Sequence, residues 1–328
     1  MQGISAGIMP FTVLLSSLLP QVVVAASSKY TDLGMQSEFR IGTAFLQGES
    51  GEYVYDADGS GSGIPGYKVS ELNWKLNNVL MLGVGATYMA NDRLCLNADY
   101  WVNAGEGDGT MDDYDWLYIG ADWSHWSHHD NTTVRKVTRL DLNSEFTFHR
   151  IKNEKTRFFG RLGYRQDHFD WQAKGGTAIY SDLSFRDTAL VFPNVPGISY
   201  QQTFKTPYIG LGLHSSGRAD DTKISFDASI HYSQWVKGED VDIHHLRDLR
   251  FEESGSGGHW YELKLGLTFE LLHKLSLTTN YAVQRYDEIK ASTEITDLTN
   301  GDKFYFGGAA AGLDHGSQLI SVNLDYSF

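Results

Sequence analysis

The chain ends in "QLISVNLDYSF" (Gln318–Phe328), and this stretch decides the fold. Ile320, Val322, Leu324, Tyr326 and Phe328 fall on one face of an extended strand, while Ser321, Asn323, Asp325 and Ser327 fall on the other. The same period of two runs through "YELKLGLTFEL" (261–271), where Glu262, Lys264 and Glu270 interrupt an apolar series. It recurs in "RLDLNSEFTFH" (139–149), with Asp141, Asn143 and Glu145 opposite Leu140, Leu142, Phe146 and Phe148. A soluble sandwich alternates too, but with its apolar face inward. An aromatic C-terminus and charges persisting along one face favour a transmembrane barrel, apolar toward lipid and polar toward the lumen.

About ten such segments can be counted, at roughly 36–48, 67–90, 93–104, 136–152, 157–172, 199–215, 222–238, 259–271, 275–290 and 314–328. The expected fold is therefore all-β: a ten-stranded antiparallel transmembrane barrel with long extracellular loops. Short connections ("ANDR", "NEKT", "SGRADD", "LLHK") alternate with long ones at about 49–66, 105–135, 173–198, 239–258 and 291–313. An even strand count with short turns at one end puts both termini on the periplasmic side. The first 26 residues carry no charge and run from an apolar core to Val24-Ala25-Ala26. They read as a signal peptide without the usual basic start, with cleavage expected after Ala26 and the barrel domain occupying 27–328.

Composition narrows the function. Asp and Glu outnumber Lys and Arg by 41 to 27, a formal charge of −14, which argues against nucleic acid as a partner and for cationic ones. Mean hydropathy is −0.33, and after residue 26 no apolar run approaches the ~20 residues of a spanning helix. One cysteine, Cys95, excludes a disulfide framework. A porin is disfavoured because Asp141, Glu145, Glu262, Lys264, Glu270 and Asp325 would crowd a ten-stranded lumen.

Two acidic stretches invite chemistry. "DGTMDDYDW" (108–116) holds Asp108, Asp112, Asp113 and Asp115; "GEDVDIHHLRD" (238–248) holds Asp240, Asp242, His244 and His245. On the ten-strand count they lie in the second and fourth outer loops, which barrel closure can bring face to face. A histidine beside one carboxylate and facing another is suited to general-base work, with Asp242 orienting His244 and a water as attacker. A solvated acidic rim explains the same residues, and the residues alone leave both readings open.

The chain also resembles the omptin family of outer-membrane proteases. "ELNWKLNN", "DYDW", "AKGGTAIYSD", "SFRD", "FPN", "FKTPYIGL", "YSQWV" and "DIHH" occur in the family's order over nearly the whole mature chain. The resemblance implies a catalytic carboxylate pair at Asp113 and Asp115, and a dyad at Asp242 and His244; Asp108 and Asp112 have no role in the family pattern and are expected to be solvated. It implies an acidic pocket at Glu52 and Asp240 for the basic residue before the cleaved bond (P1), and His125 at the position facing the residue after it (P1′). The implied activity is an endopeptidase of cationic peptides and proteins, monomeric, needing no metal or other cofactor, in the cell outer membrane with its site outward. The alternative is a non-catalytic adhesin or invasin.

Departures from the family pattern are local. His125 replaces an acid, which removes an attraction for a second basic residue at P1′. In "GYRQDHF" (163–169), Tyr164 is kept while Gln166 and His168 stand where an acid and an arginine bind lipopolysaccharide; Thr203 and Ser256 replace further basic residues. These changes argue against the lipopolysaccharide dependence the resemblance implies. His245 replaces an aromatic. His125, His128, His129 and Asp130 raise a rival, a loop zinc site, but without a fixed spacing they read as surface histidines. His149, His168 and His231 read as scaffold.

Overall fold

A computed structural model describes residues 37–151, 156–220 and 222–328; the expected signal peptide lies outside the described residues. Among the described residues all regular structure is strand. In chain order these are β1 (Glu38–Asp56), β2 (Tyr67–Met89), β3 (Leu94–Asn103), β4 (Gly107–Asp115), β5 (His125–Arg150), β6 (Thr156–Lys174), β7 (Thr177–Tyr180), β8 (Thr188–Val191), β9 (Pro196–Ala219), β10 (Thr222–His244), β11 (Leu249–Leu272), β12 (Leu275–Asp297) and β13 (Lys303–Ser327). Each neighbour pair is antiparallel, and β13 returns to pair with β1, so the sheet closes. β3 and β4 stand end to end between β2 and β5 as one stave, which makes ten staves in all. The β7–β8 hairpin leans on the start of β5.

The β3–β4 joint has a clear cause. Gly105 takes a φ of +87°, which swings the chain out of the ladder at little cost only because it lacks a Cβ. Asn103 fills the gap: its amide donates to the carbonyls of Gly105 and Arg135, and its side-chain oxygen accepts from the Val137 N–H at 2.9 Å.

Alternation in the last strand has the sense expected of a membrane barrel. Ile320 and Val322 are 57% and 44% exposed, whereas Ser321 and Asn323 are each 2% exposed. Phe39, Ile41 and Phe45 on β1, Leu80, Leu82 and Val84 on β2, and Ile209 and Leu211 on β9 continue that outward apolar belt. Inside the belt the lumen is filled with ion pairs. Arg165 joins Asp141 at 2.7 Å and also Glu262, Arg139 joins Asp167 at 2.6 Å, and Arg161 joins Glu145 at 2.9 Å. His231 donates its Nδ1–H to this network at Glu262, 2.9 Å away, a scaffold role.

The expected loop boundaries need correction. Staves of 19–26 residues far exceed the roughly 9–11 that a bilayer requires, so much of each lies beyond the hydrocarbon. Segments 105–135, 239–258 and 291–313, expected as loops, are largely strand, interrupted at 105–106 and near 116–124, 245–248 and 298–302. Periodicity failed there because above the lipid the outer face turns polar while the inner face turns apolar. Trp74, Trp171, Tyr200, Phe169, Phe204 and Tyr286 are buried inside this upper barrel. Trp74 stacks on Tyr200 at 5.1 Å and Phe204 on Tyr286 at 4.1 Å. Such pairs add about 0.5–1.5 kcal/mol each beyond their buried area and form a rigid floor.

Candidate active site

The acidic run 108–116 is not a loop. It is mostly β4, held between β2 and β5, with Asp113 opposite Leu72 and Ser127 and Asp115 opposite Ser70 and His125. Two-residue spacing on a strand aims Asp113 and Asp115 the same way, inward. Asp112, just before them, points outward, and there it is far from idle. It accepts from the Trp126 indole at 3.2 Å, pairs with His128 Nδ1 at 2.8 Å and lies 3.7 Å from Lys75 Nζ. The expectation that Asp112 is merely solvated is thus corrected; Asp108 is exposed as expected.

Across the barrel, β10 ends at His244, with Asp242 and Asp240 at successive inward positions. His244 Nε2 lies 2.6 Å from Asp242 Oδ2, leaving Nδ1 as the free ring nitrogen. Asp242 is 1% exposed. Burial disfavours protonated His244, but the charge and hydrogen bond of Asp242, and the charge of Asp113, outweigh it and raise the imidazole. Burial pushes the Asp113 carboxyl up to about 7, reinforced by the Asp115 charge and opposed by His244 and by a 3.2 Å hydrogen bond from Ser70 Oγ. Asp115 is raised by burial as well. The structure therefore brings Asp113, Asp115, Asp242 and His244 together across the mouth. A water held between the Asp113 carboxylate and the free imidazole nitrogen could be deprotonated there. Such groups titrate as a set rather than singly.

A second acidic cluster lies beside the first. Glu52 on β1 and Asp240 on β10 are almost fully buried, and Glu253 on β11, directly cross-strand from Asp240, joins them. Burial raises all three carboxyls, Asp240 to about 8, and the Asp242 charge adds to it in each, as does the Asp240 charge in Glu52 and Glu253. Tyr200 donates its hydroxyl to Asp240 at 3.0 Å. Sequence reasoning missed Glu253, Tyr200 and Ser70. For Glu253 the available signal was the tight turn after His244, where Asp248 has a φ of +53°; counting back along that hairpin pairs 240 with 253.

His125 opens β5 rather than lying in a loop. Its ring packs against Tyr180 at 4.9 Å, Nδ1 lies 2.9 Å from Ser124 Oγ, and it faces Asp115 across the ladder. The three histidines of "WSHWSHHD" go separate ways, His128 to Asp112 and His129 to Ser127 at 3.1 Å. Among the described residues no group of three or more His, Cys, Asp or Glu side chains has a metal-holding arrangement. His245 Nε2 lies 2.8 Å from Ser199 Oγ, and His168 Nδ1 lies 2.9 Å from Thr203 Oγ1 on the outer wall, near the exposed Tyr164.

Comparison with known proteins converges with this architecture. The plasminogen activator of Yersinia pestis is 32% identical over 288 residues, covering 87% of this chain and 88% of that one. The outer membrane protease OmpP of Escherichia coli K12 is 27% identical, over 97% and 99% of the two chains. The crystal structure of the outer membrane protease OmpT from Escherichia coli superposes with a TM-score of 0.81 at 26% identity, covering 89% of this chain and 97% of that one. The model of the Omptin family matches residues 35–328, nearly all of the barrel. The chain belongs to the omptin family and is an outer-membrane β-barrel protease.

Proposed function

We propose that this protease cleaves peptides and proteins after Lys or Arg, using water activated jointly by Asp113 and His244. The observation that carries the reading is His244 held at 2.6 Å by the buried Asp242 while its charge interacts with the raised Asp113 carboxyl on the opposite wall. In this mechanism Asp113 and the free nitrogen of His244 position the water. As it attacks the peptide carbonyl, its proton passes to the imidazole, and Asp242 stabilises the imidazolium that forms. The same proton then serves the leaving amine. Asp115 lies beside the attack site and raises the basicity of Asp113 by repulsion.

Glu52 and Asp240 receive the basic P1 side chain, since a buried acidic cluster gains most from a cation that supplies the missing donors. His125 flanks the P1′ side without offering a carboxylate. The site opens at the end opposite the termini, which directs it to the cell exterior in an outer-membrane barrel. The enzyme works as a monomer, on cationic substrates, without a metal or other cofactor. Incubating refolded protein with a peptide library, with and without lipopolysaccharide, and sequencing the products tests all of this. Cleavage confined to bonds following Lys and Arg is the expected result; equal cleavage after Leu and Arg refutes the pocket.

A further inference from the structure

Glu253 sits directly opposite Asp240 in the β10–β11 ladder, and like charges in that position ordinarily destabilise a sheet. Both residues are 4% exposed, and their neighbours are as deeply buried: Glu52 on β1 is 3% exposed and Asp242 on β10 is 1% exposed. One oxygen of each pocket carboxyl has no hydrogen-bond partner: Glu52 Oε2, Asp240 Oδ1 and Glu253 Oε2. The groups facing Glu253 are Asp240 and Asp242 from β10, Glu52 from β1 and the neutral Thr293 from β12; Tyr200 from β9 reaches Asp240. Among the described residues no Lys, Arg or His forms an ion pair with any of the three pocket acids. Three buried acids without a cation are stable only with protons on some of them or a cation among them.

We propose that Glu253 is a third specificity-determining carboxyl of the P1 pocket, and that it shares with Asp240 a proton which leaves for solvent when a basic side chain enters. This rests on the reading that a Lys or Arg side chain occupies the pocket. Buried and directly cross-strand, the two carboxyls can hydrogen-bond to each other only when one of them carries hydrogen. The entering ammonium or guanidinium donates to the three unpartnered oxygens, so the shared proton loses its purpose. Binding is thereby linked to pH: basic side chains bind more tightly as pH rises toward the range where Asp240, raised to about 8, ionises unaided.

Glu253→Gln supplies a permanent amide donor to Asp240 and removes the shared proton. For the wild type, KM for an Arg-P1 peptide should fall about tenfold or more between pH 6 and pH 8, while in Glu253→Gln it should change by less than about threefold. Calorimetry of acetyl-arginine-amide binding in two buffers of different ionisation enthalpy reads the proton directly. About one proton should be released at pH 7 by the wild type and clearly less by Glu253→Gln. Asp240→Asn, which removes the other half of the pair, should lose proton release too, so the test does not depend on one variant folding. Wild-type pH dependence and proton release in both variants would overturn the proposal. A wild type that does not prefer Lys or Arg at P1 would instead overturn the pocket reading beneath it.

Discussion

Replacing Asp242 with Asn tests the mechanism most sharply, because its direct contact is with the His244 ring. The Nε2–Oδ2 contact is 2.6 Å and the carboxylate is 1% exposed, so this pair is shielded from solvent. Attraction between unit charges at about 4 Å and an effective dielectric near 20 is about 4 kcal/mol, which corresponds to about a thousandfold in rate if the imidazolium is fully formed in the transition state. An asparagine can also present its amide N–H to the ring and fix the wrong tautomer, which brings the expected loss in kcat to roughly 10³–10⁴-fold. The pH profile changes in a defined direction. In the wild type Asp242 outweighs burial and raises His244. Without it burial dominates and lowers the imidazole, so the ring stays neutral to more acidic pH. The acid limb of kcat/KM should therefore move down in pH while the plateau falls. The assay is hydrolysis of a fluorogenic Arg-P1 peptide from pH 5 to 9, with the heat-modifiable gel shift confirming the folded barrel. Activity within tenfold of wild type, or an acid limb that moves upward, would refute the reasoning.

Asp113→Ala and His244→Ala should each reduce kcat by several orders of magnitude, and the double variant should cost little more than either single one; additive losses in the same assay would show that they do not act on one water. His125→Asp should favour Arg-Arg over Arg-Ala peptides by about 1–2 kcal/mol in kcat/KM if its carboxylate comes within ~5 Å of the P1′ charge, and an unchanged ratio would remove His125 from the site. Glu52→Gln should stabilise the barrel at pH 8 but not at pH 4. Burial raises the Glu52 carboxyl in the folded state, so the penalty is absent below its unfolded value near 4.3, grows as pH rises through that value, and is gone when Gln has no proton to lose. Thermal unfolding followed by circular dichroism at the two pH values reads this, and equal destabilisation at both would contradict it.

Alternation in Gln318–Phe328 and its repeats was enough to specify a closed membrane barrel, because lipid on one side and a lumen on the other impose a strict period of two. The number of staves followed from the same signal. The resemblance of "DYDW" and "DIHH" to family motifs singled out Asp113, Asp115, Asp242 and His244. Tertiary structure decided what lies above the lipid. There water replaces lipid outside and aromatic side chains replace ion pairs inside, so the strands of the upper barrel read as loops, and Asp112 read as solvated although Trp126 and His128 bind it. Glu253 was invisible for a related reason. Its significance depends on register: only the ladder that sets it opposite Asp240, and the closure that brings Glu52 from the far end of the chain, turns three scattered acids into one buried cluster. Side-chain period is local and survives in sequence; cross-strand register and the charge it concentrates arise only when the barrel closes.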